Sequence, residues 1–199
     1  MKKTMIRKTL AFITLLTVLM LSATCFAEGE VPAYVAAEGN LLINLSFEEI
    51  QDPALFEGDV FPGWTYETDA VSWSVLFSDG PGYTGNIAGA TWCGDVFNFS
   101  VLQTIELAEA GTYKASVWVA LGEATFGDSE LRIKDAEGNV VVFAALPAVE
   151  NNTNSEYQII ELYDVALEAG VYTFELFVPC TAVGNNSFFR IDEAFLGLQ

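Results

Sequence analysis

The chain has 199 residues, of which 27 are acidic, eight are basic and none is histidine, so its formal charge at pH 7 is −19. A field this negative repels phosphate backbones and anionic lipid surfaces, which argues against nucleic-acid or membrane-surface binding and favours neutral or cationic partners. The lack of histidine excludes Ser-His and Cys-His nucleophilic catalysis and, with so few thiols, argues against a tetrahedral zinc site.

Residues 1–27 have the pattern of a secretory signal peptide. Four of the eight basic residues precede an apolar run, LAFITLLTVLMLSA, that is too short for a comfortable transmembrane helix. We therefore expect cleavage after about Ala27, a secreted bacterial protein and no membrane insertion afterwards. Lipid attachment at Cys25 is the alternative. Cleavage removes half of the basic residues and none of the acids, which leaves a formal charge of −23.

The 172 residues that remain suit one domain, with residues 28–39 as a tether and residues 40–199 as the folded part. About ten short runs rich in β-branched and aromatic residues alternate with Gly, Asn, Asp or Pro. Strands of this kind must pair into two layers, so the pattern predicts an all-β, antiparallel two-sheet β-sandwich, or jelly roll. The predicted strands lie near residues 40–45, 71–77, 86–92, 98–107, 112–121, 129–135, 139–146, 157–167, 171–178 and 187–196.

Two cysteines stay in the chain after cleavage, Cys93 and Cys180. Each follows a strand-like run, and an exported protein meets oxidising conditions. A disulfide tying two strand ends is one possibility, and two separate thiols are the other.

The run GTYKASVWVALGE places a tryptophan on the polar side of a predicted strand. Side chains alternate along a strand, so Val117 and Val119 point one way and Trp118 the other, together with Lys114 and Ser116. Trp118 is therefore predicted to face outward. The same argument predicts that Trp73 is buried in the core.

Alternation also predicts outward positions for Glu175 and Phe177 on one late strand and for Arg190 on the last. If these strands belong to one sheet, the three side chains and Trp118 form a mixed aromatic and polar surface. Sugars bind to such surfaces through their C–H faces and hydroxyl groups. Trp92 is the second aromatic candidate, because alanines on its side of the strand leave a recess beside it.

Two further polar or aromatic residues are predicted to be structural. Gln103 shares its side of a strand with Val101 and Ile105, which predicts a buried amide with satisfied hydrogen bonds. Trp64 follows Pro62 and Gly63 and is predicted to close one end of the sandwich.

The segments NLLINLSFEE (40–49), PGW (62–64) and FFRIDEAFLGL (188–198) bracket the domain, with LAEAGTYKASVWV and LEAGVYTFELFV between them. Together, these segments resemble the jelly-roll carbohydrate-binding modules of the galactose-binding-like superfamily. Residues 97–131 are most similar to modules attached to bacterial endo-galactanases. The resemblance implies a non-catalytic module that binds a neutral polysaccharide such as β-galactan or another plant cell-wall glycan, and we expect a monomer.

The resemblance also implies a structural calcium ion, which many of these modules hold between the first and last strands. By position Glu48 and Asp192 are the matching carboxylates, and oxygen ligands of this kind suit Ca²⁺. The alternative is that both are merely exposed acids at strand ends.

Two other functions stay open. One is a surface or adhesion β-sandwich that binds protein or serves as a scaffold. The other is a small glycan lyase or hydrolase, because such an enzyme needs only two suitably spaced carboxylates. In a chain with 27 acids that condition discriminates little.

Overall fold

The computed structural model describes residues 38–50, 61–71, 74–92, 94–148, 156–183 and 188–199, all within one compact unit, Val31–Gln199. The predicted signal peptide, nearly all of the tether, Trp73 and Cys93 lie outside the described residues. Cys180 is buried, and its disulfide with Cys93 stays a prediction. The described residues include no helix with the length and hydropathy that a membrane span requires.

The described chain forms two antiparallel sheets, which confirms the predicted β-sandwich. The strands are β1 (Thr65–Thr68), β2 (Phe77–Asp79), β3 (Ala88–Trp92), β4 (Phe97–Leu107), β5 (Gly111–Gly122), β6 (Thr125–Phe126), β7 (Ser129–Lys134), β8 (Val140–Leu146), β9 (Tyr157–Leu167), β10 (Gly170–Ala182) and β11 (Phe188–Leu198). Sheet A has the order β1-β4-β10-β7-β8, with β6 paired to β10, and sheet B has the order β2-β3-β11-β5-β9.

Eight of the ten predicted strands appear, as β3 to β5 and β7 to β11. The strand predicted at 40–45 is wrong, because Asn44 and Phe47 adopt positive φ angles of 46° and 59° and the backbone turns there. This N-terminal segment still runs beside β11, where the Leu41 amide donates to the Leu196 carbonyl at 2.7 Å. Of the described part of the run 71–77, only Phe77 belongs to a strand.

Between the sheets lies an apolar core built by the alternation of the long strands. The predicted burial of Gln103 is confirmed: its amide accepts from the Ile43 amide at 2.8 Å and donates to the Ile43 carbonyl at 3.0 Å. Trp64 is also buried, stacked 4.9 Å from the Phe47 ring, and its indole donates to the Asn44 carbonyl. These contacts attach the N-terminal segment to the core.

Two register shifts occur beside β5, but neither interrupts β5 itself. The partners of Ser116 and Trp118 on β11 are Phe195 and Asp192, so the extra residue belongs to β11. A second extra residue belongs to β9, where Asp164 has a positive φ of 54°. β-Bulges reverse the alternation only of the strand that carries them. Trp118 therefore stays on the outer side of sheet B, as predicted.

Candidate functional site

The predicted site residues divide between the two sheets. Trp92, Trp118 and Arg190 lie on β3, β5 and β11 of sheet B, whereas Glu175 and Phe177 lie on β10 of sheet A. The condition that these strands belong to one sheet is therefore not met, and Glu175 and Phe177 share no surface with Trp118 and Arg190. The physical reason is that β10 pairs with β4 and β7, while the next strand, β11, crosses to pair with β3 and β5.

The outer face of sheet B carries a recess beside Trp92. Strand register places Phe77, Ala90 and Arg190 in one row across β2, β3 and β11. Trp92 is 41% exposed, whereas Ala90 is 1% exposed. An exposed aromatic ring therefore lies beside a small, buried residue that forms the floor of the recess. The cavity has a volume of about 320 Å³ and is lined by Phe77, Asp79, Ala90, Trp92, Phe188 and Arg190.

An ion pair fixes the polar wall of this recess. Both Nε and Nη2 of Arg190 reach Asp79 Oδ2, at 2.8 and 2.7 Å. The guanidinium also lies 4.7 Å from the centre of the Phe188 ring. Charge-assisted bonds of this kind hold a side chain in one orientation, so the recess combines an exposed indole with fixed hydrogen-bonding groups.

Trp118 faces outward, but Tyr83, in the loop of residues 80–87, covers one face of its ring. The Tyr83 ring stacks on the indole at a centroid distance of 3.7 Å and an interplanar angle of 12°. Tyr157 contacts Tyr83 edge-on at 5.8 Å, and its hydroxyl donates to the Pro81 carbonyl. Burial raises the pKa of Tyr157. One face of the Trp118 ring is thus already occupied, which the sequence analysis missed because Tyr83 belongs to a Gly-rich turn.

The remaining edge of Trp118 borders a second cavity on the same sheet. This cavity has a volume of about 310 Å³ and lies on the side of Ser116, away from Trp92. Tyr163, which is 59% exposed, and Glu161 also line it, and the Tyr163 hydroxyl donates to the Glu161 carboxylate at 2.5 Å. Trp118 therefore contacts the loop 80–87 through Tyr83 and also borders this cavity.

Glu48 and Asp192 both bind the loop 80–87. Glu48 Oε1 accepts from the amides of Asn86 and Ile87 at 2.6 and 2.9 Å, and Asp192 Oδ2 accepts from the Thr84 amide at 2.9 Å. Asp192 is 0% exposed, and burial raises its pKa to about 7. For Asp192 the alternative of an exposed acid at a strand end is therefore wrong.

Carboxylates are ligands that a hard cation prefers, but the hydrogen-bond partners of Glu48 and Asp192 are backbone amides. Asp192 forms no ion pair with any of the four basic side chains in the described chain, and a buried carboxylate without a cation is costly. No group of three or more His, Cys, Asp or Glu side chains with metal-binding geometry occurs among the described residues. A Ca²⁺ ion here would need further oxygen atoms, which loop carbonyls are able to supply.

On sheet A, Glu175 lies in a network of ionic and hydrogen-bonding groups on the outer side. It is 2% exposed, accepts from Ser100 Oγ at 2.6 Å and lies 2.7 Å from Lys134 Nζ. The Arg132 guanidinium approaches the same carboxylate at 3.6 Å and stacks 3.9 Å above the Phe177 ring. Phe177 therefore shares its face with Arg132 and is not a bare platform.

A sandwich of two antiparallel sheets is also the fold of solved β-sandwich carbohydrate-binding modules, and the chain has that fold. It is similar to TmCBM61, solved in complex with β-1,4-galactotriose, at 23% identity and a TM-score of 0.59, over 80% of this chain and 99% of that one. At this identity the likeness establishes the fold alone.

Two enzyme structures contain a similar unit. The enzymatically active domain of bacteriophage CBA120 tailspike protein 4 matches at 17% identity and a TM-score of 0.56, over 80% of this chain and 21% of that one. Arabinose-bound MgGH51 α-L-arabinofuranosidase matches at 12% identity and a TM-score of 0.55, over 80% of this chain and 26% of that one. No protein-family model and no curated protein sequence matches the chain.

Proposed function

We propose that this chain is a secreted, monomeric, non-catalytic module that binds a neutral polysaccharide of the β-1,4-galactan type through the outer face of sheet B. The observation that carries the proposal is the recess in which an indole, 41% exposed, stands beside the Arg190–Asp79 pair. The galactotriose bound to TmCBM61, a protein of the same fold, supports the ligand class.

The chemistry of the recess suits an uncharged sugar. The C–H face of a pyranose packs against the Trp92 ring, and the floor at Ala90 leaves room for it. Arg190 donates to a sugar oxygen and Asp79 accepts from a hydroxyl. Because these two charges cancel, the recess has no net charge within an otherwise very acidic protein, and an apolar wall with a few placed polar groups is typical of ligand sites.

Trp118 has a supporting role in this proposal. Its ring stacks on Tyr83 and so holds the loop 80–87 against the outer face of sheet B. The free edge of Trp118 and the exposed Tyr163 extend the aromatic surface along the sheet. Trp92 is therefore the principal stacking residue, and Trp118 contributes at the edge.

One structural Ca²⁺ ion completes the proposal. Glu48 and Asp192 would hold it together with oxygen atoms of the loop 80–87. Both carboxylates already accept hydrogen bonds from backbone amides of this loop. The bound ion would supply the positive charge that the buried Asp192 lacks. The two residues would then join the N-terminal segment, the loop and β11 in one unit.

Affinity electrophoresis with product analysis tests the function directly. Native gels containing β-1,4-galactan, xylan, mixed-linkage β-glucan or polygalacturonate compare the mobility of the purified protein, and the same mixtures are assayed for released sugar. We expect galactan to retard the wild type without product, and Trp92→Ala to weaken the retardation. Released product would instead indicate a glycan-active enzyme, and no retardation by any glycan would favour the adhesion or scaffold function.

A further inference from the structure

The outer face of sheet A carries a polar cavity that the proposed glycan site does not use. Strand register aligns Glu67, Ser100 and Phe177 across β1, β4 and β10. The cavity has a volume of about 300 Å³ and is lined by Glu67, Thr68, Asp69, Asn98, Ser100 and Phe177. It lies on the opposite sheet from the Trp92 recess.

The floor of this cavity is held by a buried ionic network. Ser100 is 7% exposed and donates its hydroxyl proton to Glu175, which is 2% exposed and pairs with Lys134. Burying an ion pair adds little net stability, because desolvation offsets the attraction. The network does fix the orientation of the Ser100 hydroxyl. Because the hydroxyl proton is donated to Glu175, the Ser100 oxygen is able only to accept a hydrogen bond from a group in the cavity.

Hydrogen bonds also hold the side chains at the rim of the cavity in place. Asp69 accepts from the backbone amide of Asn98 at 2.6 Å and from its side-chain amide at 2.7 Å. These two hydrogen bonds lower the pKa of Asp69, and the bond from the backbone amide has the larger effect. Asp69 therefore remains an ionised acceptor. Glu67 adds a second carboxylate. The polar walls therefore mainly accept hydrogen bonds, and their negative charge disfavours uronic acids and sulfated sugars.

Phe177 supplies the apolar wall. Arg132 covers one face of its ring at 3.9 Å, which holds the ring in place, and the ring borders the cavity beside Ser100. An aromatic edge next to fixed acceptors suits a ligand that has C–H groups on one side and several hydroxyl donors on the other.

We propose that this cavity is a second saccharide site, independent of the Trp92 recess. A neutral sugar unit would donate its hydroxyls to Glu67, Asp69 and Ser100 and pack its ring carbons against Phe177. The choice of ligand class rests on the proposed function. Because the two sites lie on opposite sheets, one module would bind two polysaccharide chains and link them.

Isothermal titration calorimetry with β-1,4-galactotriose tests the second site. We expect two sites in the wild type, one in Trp92→Ala and one in the double variant Glu67→Ala/Asn98→Ala, whose exposed positions leave the core intact. Thr104→Ala, an exposed position of β4 outside the cavity, is the matched control and retains both sites. Soluble galactan should form aggregates with the wild type and Thr104→Ala, and not with either single-site protein.

The failures of the two proposals are distinguishable. A single site that Trp92→Ala removes and the double variant leaves unchanged would overturn the second site while the proposed function stands. No binding of any neutral glycan by the wild type would overturn both. Binding lost in the double variant and normal in Trp92→Ala would place one site on sheet A, which contradicts both the two-site inference and the assignment to Trp92.

Discussion

At the scale of single residues, alternation predicts the side of the sheet and not the contacts made there. Val117 and Val119 are 0% exposed and Trp118 points outward, as the pattern of β5 indicates. The stack of Tyr83 on Trp118 comes from a loop remote in the chain, so no local periodicity is able to reveal it. Trp92 was predictable together with its recess, because the alanines that form the floor lie on the same strand.

This alternation makes a prediction for two side chains of β5. Leu121 is 0% exposed, so Leu121→Ala leaves a cavity in the core and should lower the free energy of unfolding by about 2–5 kcal/mol. The matched control is Lys114, which is exposed and lies 4.8 Å over the Phe195 ring. Lys114→Ala should change the free energy of unfolding by no more than about 0.5 kcal/mol. Urea denaturation followed by circular dichroism measures both values. Equal losses would contradict the inward and outward assignment.

At the scale of elements, the loop 80–87 organises the outer face of sheet B. It is bonded to Glu48 and Asp192 through its amides and to Tyr157 through the Pro81 carbonyl. Gly85 has a φ of +64°, and a Cβ there would lie 2.0 Å from Glu48 Oε1. Glycine is therefore required at this position both by the backbone conformation and by the close approach of the carboxylate.

The carboxylates under this loop predict how stability depends on calcium and pH. The unfolded Asp192 has an ordinary pKa of 3.8 and the folded one a pKa of about 7, so between these values the folded state holds a proton that the unfolded state has lost. Without calcium, the contribution of Asp192 to stability should therefore be fully present below about pH 3.8 and be lost as the pH rises through about 7. Bound Ca²⁺ favours the ionised carboxylate and should prevent that loss.

Differential scanning fluorimetry in EGTA and in CaCl₂ at about pH 5 and pH 8 checks this prediction. We expect the melting temperature in EGTA to be lower at pH 8 than at pH 5, and calcium to raise it mainly at pH 8. Glu48→Gln should lose most of the calcium response, whereas Glu49→Gln, a neighbouring exposed acid, should keep it. A wild-type melting temperature that is the same in EGTA and in calcium would refute the calcium site.

At the scale of the whole molecule, the sequence predicts the layers of the sandwich and not the membership of each sheet. The runs that became β4, β5, β9 and β10 are long and strongly patterned, so hydrophobic periodicity locates them well. Which strands pair depends on contacts between distant segments, such as β10 with β4 and β11 with β3. Alternation alone therefore cannot decide whether Glu175 and Phe177 share a sheet with Trp118 and Arg190, and in the structure the core separates the two pairs.

The acidity of the molecule agrees with a neutral ligand. The four basic residues of the described chain all lie on strands of the two sheets, and Arg132, Lys134 and Arg190 each pair with a carboxylate. The Trp92 recess contains the Arg190–Asp79 pair, so its local charge is cancelled, whereas Glu67 and Asp69 keep the sheet A cavity negative. The remaining acids give the long-range field that repels anionic polymers.

The central claim is that a neutral galactan oligosaccharide contacts Trp92 on sheet B, and the indole resonances test it most directly. The chain has four tryptophans, so a ¹⁵N–¹H spectrum shows up to four indole signals, assignable with single Trp→Phe variants. On titration with β-1,4-galactotriose we predict that the Trp92 signal shifts most, the Trp118 signal shifts less and the buried Trp64 signal stays in place. Saturable binding measured on the same sample with an unmoved Trp92 signal would contradict the account.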